Sequence, residues 1–242
     1  LIHLIADETV AAEVLSELEK NEIVSILEGM EASKIAALLC KNETDDIADI
    51  LSVFPADQAN DILKSMKREE SIEVKELLKY GADTAGGIMN PDVFHMDQES
   101  TIAEAITQVK RAREFETVFY IYTTDSHDRL AGVVSLREVI LAKSTQKLKE
   151  IANANVVYVN AGVDQEEVAR MVAQYNFLAV PVVEGDRKLV GIITVDDVID
   201  VLREEATEDI LKMAGSGREE LSSRNSFKSA KSRLPWLFIC WI

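Results

Sequence analysis

GVVSLREVI (residues 132–140) and GIITVDDVI (residues 191–199) are one nine-residue pattern written twice, 59 positions apart. Each begins on a glycine, runs through apolar residues to a hydroxyl, Ser135 or Thr194, and places an acid, Glu138 or Asp197, three positions later. Working outward, TIAEAITQV (101–109) matches DQEEVARMV (164–172) at an offset of 63, the difference being a four-residue loop change. Between these matched ends lie FYIYTT (119–124) with LAGVVS (130–135), and LAVPVVE (178–184) with LVGIIT (189–194). Each copy therefore reads as helix, strand, turn, strand, helix.

A second repeat fills the first third of the chain. Leu15, Leu27, Leu39, Leu51 and Leu63 recur every 12 residues, each preceded by Val14, Ile26, Leu38, Ile50 or Ile62. Ala11, Ile23, Ile35, Ile47 and Ala59 stand three positions earlier still. Apolar residues at i, i+3 and i+4 define one helical face, and a 12-residue period leaves room for one short helix and a turn. The expectation is a stack of short helices, with Ser33 and Asp57 as helix starts, Pro55 as a breaker and a longer helix through Leu77 and Leu78 ending near Gly81. Gly86 and Gly87 fit a helix stop and equally a hinge.

Charge sets the next bound. The chain has 242 residues, 47% of them apolar, and a net charge of −17. Residues 1–80 carry net −10, residues 81–209 net −11, and residues 210–242 net +4. With no basic surface of useful size in the first two regions, nucleic acid is excluded as a partner. Seven acids, Asp196, Asp197, Asp200, Glu204, Glu205, Glu208 and Asp209, crowd the segment 194–209 against Arg203 alone. At helical spacing such acids repel by roughly 0.2–0.5 kcal/mol per pair, which asks for a cation among them. An oxygen-only donor set without paired His or Cys favours Mg²⁺ or Ca²⁺ over zinc or copper. Asp45 and Asp49 lie one turn apart and can face one ion or one partner.

Cys40 and Cys240 are too few and too far apart for a disulfide framework. His3, His95 and His127 are isolated, and no GxSxG, phosphate-binding loop or GxGxxG is present, so an enzyme reading lacks support. The end of the chain, LPWLFICWI (234–242), is apolar and follows Arg218, Arg224, Lys228, Lys231 and Arg233. This reads as the start of a membrane segment entered from the cytoplasmic side, and alternatively as a short core element.

The doubled Gly-h-h-Ser/Thr-x-x-acid pattern resembles the CBS domain, complete in the second copy through Gly191, Thr194 and Asp197, and with Glu138 as the acid of the first. The order of parts, with TDDIADIL (44–51), YGADTAGGIMNP (80–91), TVDDVIDVL (194–202) and EATEDI (205–210), resembles the cytosolic region of the MgtE magnesium transporters. The resemblance implies an α+β multidomain chain: an all-α superhelix of short helices at 1–80, a hinge at 81–88, and a tandem CBS pair at 89–151 and 152–209. A connecting helix leading into a truncated transmembrane segment would follow at 210–242. It implies a non-enzymatic regulatory region on the cytoplasmic side of the plasma membrane, homodimeric through its CBS domains and joined to its own transmembrane domain.

Its ligand would be Mg²⁺, favouring a compact, closed-gate arrangement. Metal-site residues carried over are Glu13, Asp45, Asp49, Asp164, Glu166, Asp197, Asp200, Glu205, Glu208 and Asp209, with a carbonyl near Gly87. Asn176 stands where relatives can carry an acid, which removes one charge from an ion shared with Asp200. The alternative implied is an adenine-nucleotide sensor, with ATP held between the CBS copies by Tyr120, Arg137, Phe177 and Pro181.

Overall fold

The computed structural model describes residues 8–16, 18, 20–27, 29–112 and 118–213. The 12-residue period becomes one helix per repeat: α1 (Glu8–Ser16), α2 (Lys20–Leu27), α3 (Ala32–Leu39), α4 (Thr44–Ser52) and α5 (Ala56–Ser65), with α6 (Arg68–Leu77) following beyond the period. The five period leucines are all buried, Leu15 and Leu39 completely. Helices two apart pack on each other, α1 on α3, α3 on α5 and α4 on α6, which coils the stack into a superhelix. Burying each leucine is worth about 1.5–3 kcal/mol, so the repeat is its own source of cohesion.

Two expected helix starts fall elsewhere. Ser33 lies inside α3, whose N-cap is Glu31, and Asp57 lies in the first turn of α5, whose N-cap is Pro55. Proline fixes the extended entry to α5, whose first amides receive no side-chain cap. Helix α6 is no longer than α5 and ends at Leu77 with Leu78 as its C-cap, short of the end expected near Gly81.

The repeated half forms two three-stranded sheets. The first copy holds β1 (His95–Asp97), α7 (Ile102–Arg111), β2 (Tyr120–Thr124), β3 (Leu130–Ser135) and α8 (Leu136–Leu141), with a short α9 (Leu148–Ile151) after it. The second holds β4 (Val159–Asn160), α10 (Gln165–Tyr175), β5 (Ala179–Glu184), β6 (Lys188–Thr194) and α11 (Val195–Met213). In each sheet a short parallel edge strand precedes an antiparallel pair, in the orders β1-β2-β3 and β4-β5-β6. Both antiparallel pairs carry a register shift at the same place, Thr123/Thr124 and Val182/Val183.

The copies face each other about a pseudo-twofold axis. Their hairpin turns meet: the Leu130 amide donates to the Arg187 carbonyl at 2.9 Å, the Leu189 amide to the Asp128 carbonyl at 3.1 Å, and Arg129 pairs with Asp186 at 2.8 Å. Asp128 and Arg187, counterparts at the offset of 59, are both left-handed, with φ of 56° and 61°. The core of the first copy, around Ile121, Val134 and Leu148, is its own cluster. The core of the second copy, around Val180, Val182 and Ile193, is continuous with that of the helical stack through Ala85 and Met89.

Candidate functional site

Three consecutive residues at the start of α4 meet Asn90, Asp92 and the first turn of α11. Glu43, the N-cap, accepts from the Asn90 amide group. The Thr44 hydroxyl donates to Asp92 Oδ2 at 3.3 Å. Asp45 comes next, half-buried, and its Oδ1 has neither a hydrogen-bond partner nor contact with water. Burial, then the neighbouring charges of Asp197, Asp46 and Glu43, hold the Asp45 carboxyl well above the ordinary carboxylate range.

Asp197 sits opposite, in the first turn of α11. Its Oδ2 accepts from the Thr194 amide at 3.1 Å and the Thr194 hydroxyl at 2.5 Å. Burial nevertheless pushes its pKa up to about 6, with Asp196 and Asp200 adding repulsion. Two half-buried acids from different domains thus repel each other, and among the described residues neither has a cationic partner. An unpaired buried charge is costly, and it persists in folded proteins where a cation or metal completes the set.

The remaining candidates are distributed around this contact. Asp49 lies one turn along α4, half-buried. Glu205 accepts from Gln165 Nε2 at 2.8 Å, tying α11 to α10. Asp200 is paired with Arg203 at 3.1 Å, and Glu166 with Arg170 at 3.0 Å. Asp164 caps α10 through the Glu166 amide at 2.9 Å, and Asp209 is exposed. The side chains of Glu13 and Glu208 lie outside the described residues, as does the whole connecting and apolar segment 214–242. Among the described residues no group of three or more acids, His or Cys converges on one point, and no helix is long and apolar enough to cross a membrane. The pair Asp45 and Asp197 is what the fold brings together. Its orphaned oxygen and oxygen-only chemistry fit a hard dication, which binds by one or two carboxylates and keeps several waters.

The link between the domains is pinned. Ala85 and Gly86 donate their amides to the carbonyls of Val163 and Ala161 at 2.7 and 2.8 Å, and Gln165 donates to the Asp83 carbonyl at 3.1 Å. Residues 83–86 therefore travel with the second copy. At Gly87 a Cβ would stand 2.3 Å from the Gly81 carbonyl oxygen, so this turn closes only around glycine. Asn176, at the end of α10, is left-handed with φ of 54°, a conformation asparagine tolerates better than most residues.

A separate cleft of about 260 Å³ opens between the two copies. Tyr120, Phe177 and Pro181 line it, as three of the four nucleotide candidates, together with Ser135, Glu138, Asn153 and Asn155. Arg137 is exposed in the first turn of α8 and outside the lining. Glu138 holds a capping box with Ser135, all on one oxygen, Oε2, at 2.9 Å from the Ser135 amide and 2.8 Å from its hydroxyl.

Comparison with known proteins follows this division. Residues 1–83 match the model of the MgtE intracellular N domain, and residues 85–144 and 148–204 match the CBS domain. Among solved structures, the cytosolic domain of the Mg²⁺ channel MgtE in complex with ATP superposes with a TM-score of 0.76 at 38% identity, over 81% of this chain and 80% of that one. The chain belongs to the MgtE family. A second neighbour, the soluble part of a magnesium transporter, gives a TM-score of 0.77 at 35% identity, covering 85% of this chain and 81% of its own. The magnesium transporter MgtE of Thermus thermophilus is 44% identical over 170 residues, 69% of this chain and 38% of the transporter. That of Enterococcus faecalis is 42% identical over 170 residues, 70% of this chain and 37% of the transporter. The chain thus spans a little under two fifths of the length of these relatives, and corresponds to the cytosolic portion of MgtE. That family is one of magnesium transporters and not of enzymes.

Proposed function

We propose that this MgtE chain is the Mg²⁺-sensing regulatory region of a Mg²⁺ transporter or channel, acting as a homodimer through its CBS pair on the cytoplasmic side of the membrane. One observation carries the reading: half-buried Asp45 of the helical domain has an unpartnered carboxylate oxygen and feels the charge of half-buried Asp197 of the second CBS unit. Bound there, Mg²⁺ would supply the positive charge that lets two acidic surfaces meet. Asp45, Asp49, Asp197 and Asp200 are the principal ligands in this reading, with Glu13, Asp164, Glu166, Glu205, Glu208, Asp209 and the Gly87 carbonyl as outer contributors.

The rest of the mechanism belongs to the chain's own residues. Residues 1–80 and 81–209 carry net −10 and −11, so without a counterion their docking is opposed. The hydrogen bonds from Asn90 to Glu43 and from Thr44 to Asp92 set the docking register but add no positive charge. Falling Mg²⁺ therefore shifts the population toward a parted state, and the segment leading out of α11 carries that change toward the transmembrane domain. Small-angle scattering tests this: the chain in excess MgCl₂ is expected to be more compact than in EDTA, with residues 78–82 gaining protease sensitivity in EDTA. Identical profiles in the two buffers would overturn the reading.

A second reading is favoured by the cleft that Tyr120, Phe177 and Pro181 share. It is that of an adenine-nucleotide sensor, supported by the ATP held by the MgtE neighbour. Calorimetry separates the two, since a nucleotide sensor requires ATP or AMP for any Mg²⁺-dependent heat and compaction.

A further inference from the structure

A cleft between α5 and α6, at the last step of the helical stack, shares no residue with the magnesium contact. Its volume is about 410 Å³, within the roughly 300–1,000 Å³ of small-molecule sites. Buried Leu63, Met66 and Ser71 form its floor, and exposed Lys64, Arg68 and Lys75 stand at its rim beside Ile72. Arg68, Ser71, Ile72 and Lys75 follow the spacing i, i+3, i+4, i+7, so a single stripe of α6 supplies both cations and apolar surface.

In a chain of 43 acids and 26 bases, most cations near this cleft are neutralised. Lys64 pairs with Asp61 at 2.8 Å, Lys67 with Glu70 at 2.8 Å, and Lys79 with Glu76. Arg68 and Lys75 make no ion pair among the described residues. Ser71 is only 5% exposed and lines the cleft, and among the described residues its hydroxyl makes no hydrogen bond. A withdrawn hydroxyl without a partner is a cost that a ligand oxygen removes. Helix α6 starts with no side-chain cap, so the positive end of its dipole adds to the charge of Arg68. Glu69 and Glu70 share that first turn but lie outside the lining.

We propose that this cleft binds a small phosphate monoester, its phosphate held by Arg68, Lys75 and the Ser71 hydroxyl and its apolar body laid on Leu63, Met66 and Ile72. A phosphate offers three oxygens to three donors, and its pairing with a guanidinium is among the stronger charge-assisted contacts. An anionic membrane surface fits less well, because it would meet the whole helical region of net −10 and be repelled, whereas a small ligand samples the cleft alone. A ligand bridging α5 and α6 also stabilises the step of the stack that precedes the linker.

The test is equilibrium dialysis of the full chain against phenyl phosphate in EDTA, where no metal can bridge the ligand to an acid. Wild type is expected to bind one more phenyl phosphate per chain than the Arg68→Ala, Lys75→Ala variant, with affinity falling about tenfold for each cation removed. Inorganic phosphate should compete about tenfold more weakly, since it leaves the apolar floor uncovered. Phenyl phosphate should raise the unfolding midpoint of the wild type and not that of the variant. The Lys110→Ala, Lys143→Ala chain loses the same charge from exposed positions on the first CBS copy and should bind as the wild type does. Equal binding by wild type and the Arg68→Ala, Lys75→Ala variant overturns the proposal, as does an equal loss in the Lys110→Ala, Lys143→Ala chain. Phosphatidylglycerol vesicles supply the other source of phosphate: sedimentation with vesicles that requires Arg68 and Lys75, without uptake of phenyl phosphate, overturns it in favour of a lipid surface.

Discussion

At the scale of single residues, Asp45 carries the most consequence. Its Oδ1 is buried without a partner, a situation that costs about 1–3 kcal/mol and more when the group is charged. Asp45→Asn keeps the shape, removes one of the two facing charges and supplies a donor for Asp197. In EDTA the docked population of this variant is expected to rise, by about 1–3 kcal/mol at most, read as slower proteolysis across residues 78–82. The added compaction from MgCl₂ should shrink correspondingly. Asp125 behaves in the opposite sense. It accepts from Arg129 Nε at 2.8 Å and from the amides of His127 and Arg129 at 2.8 and 3.1 Å, and the arginine first holds its pKa down to about 2. A carboxylate with a lowered folded pKa stabilises the fold above its ordinary value and loses that contribution as pH falls toward the folded one. The stability gap between wild type and Asp125→Asn, from urea denaturation, should be constant down to about pH 4 and vanish near pH 2.

At the scale of elements, Gly191 shows how closely the parts are fitted. A Cβ there would stand 2.8 Å from the Asn90 carbonyl oxygen and 2.8 Å from Met89 Sδ. Gly191→Ala must push back the strand entry that carries Asn90 and Asp92 to the α4 tip. We expect a loss of about 1–3 kcal/mol in thermal unfolding and, at permissive temperature, weakened docking in excess MgCl₂. The glycine was legible as part of a doubled motif, though its reason, a backbone approaching from residue 90, was not. The same boundary recurs elsewhere. The leucine period gave five helices, α1 to α5, because each repeat buries its own leucine, a local rule. The edge strands β1 and β4, of three and two residues, left no periodic trace, and neither did the caps of α3 and α5. Asp45 and Asp49 were legible as a pair one turn apart. That Asp45 faces Asp197, and Asp49 lies further along α4, depends on how two domains meet, which no local spacing encodes. Arg137 illustrates the reverse case: adjacent in sequence to the lining residue Glu138, it is turned out of the cleft by the helix that Ser135 and Glu138 start.

At the scale of the whole molecule, the question is whether magnesium acts through a site or only through ionic strength. Two regions of net −10 and −11 repel through the solvent between them, and that part of the repulsion is screened by any salt. At about 1 M NaCl the screening length falls to about 3 Å, so the long-range part should be gone. The contact between Asp45 and Asp197 is not reached in this way, because both carboxyls are partly withdrawn from solvent and Asp45 Oδ1 touches no water. Sodium chloride in EDTA should therefore compact the chain partway, while MgCl₂ at far lower ionic strength completes the docking and protects residues 78–82. The Asp197→Lys, Asp200→Lys chain should need neither, since both regions then meet through opposite charges. Full compaction of the wild type by NaCl alone would make the response a general property of an acidic chain. A chain that stops short in NaCl and closes in MgCl₂ places the response at the α4 tip.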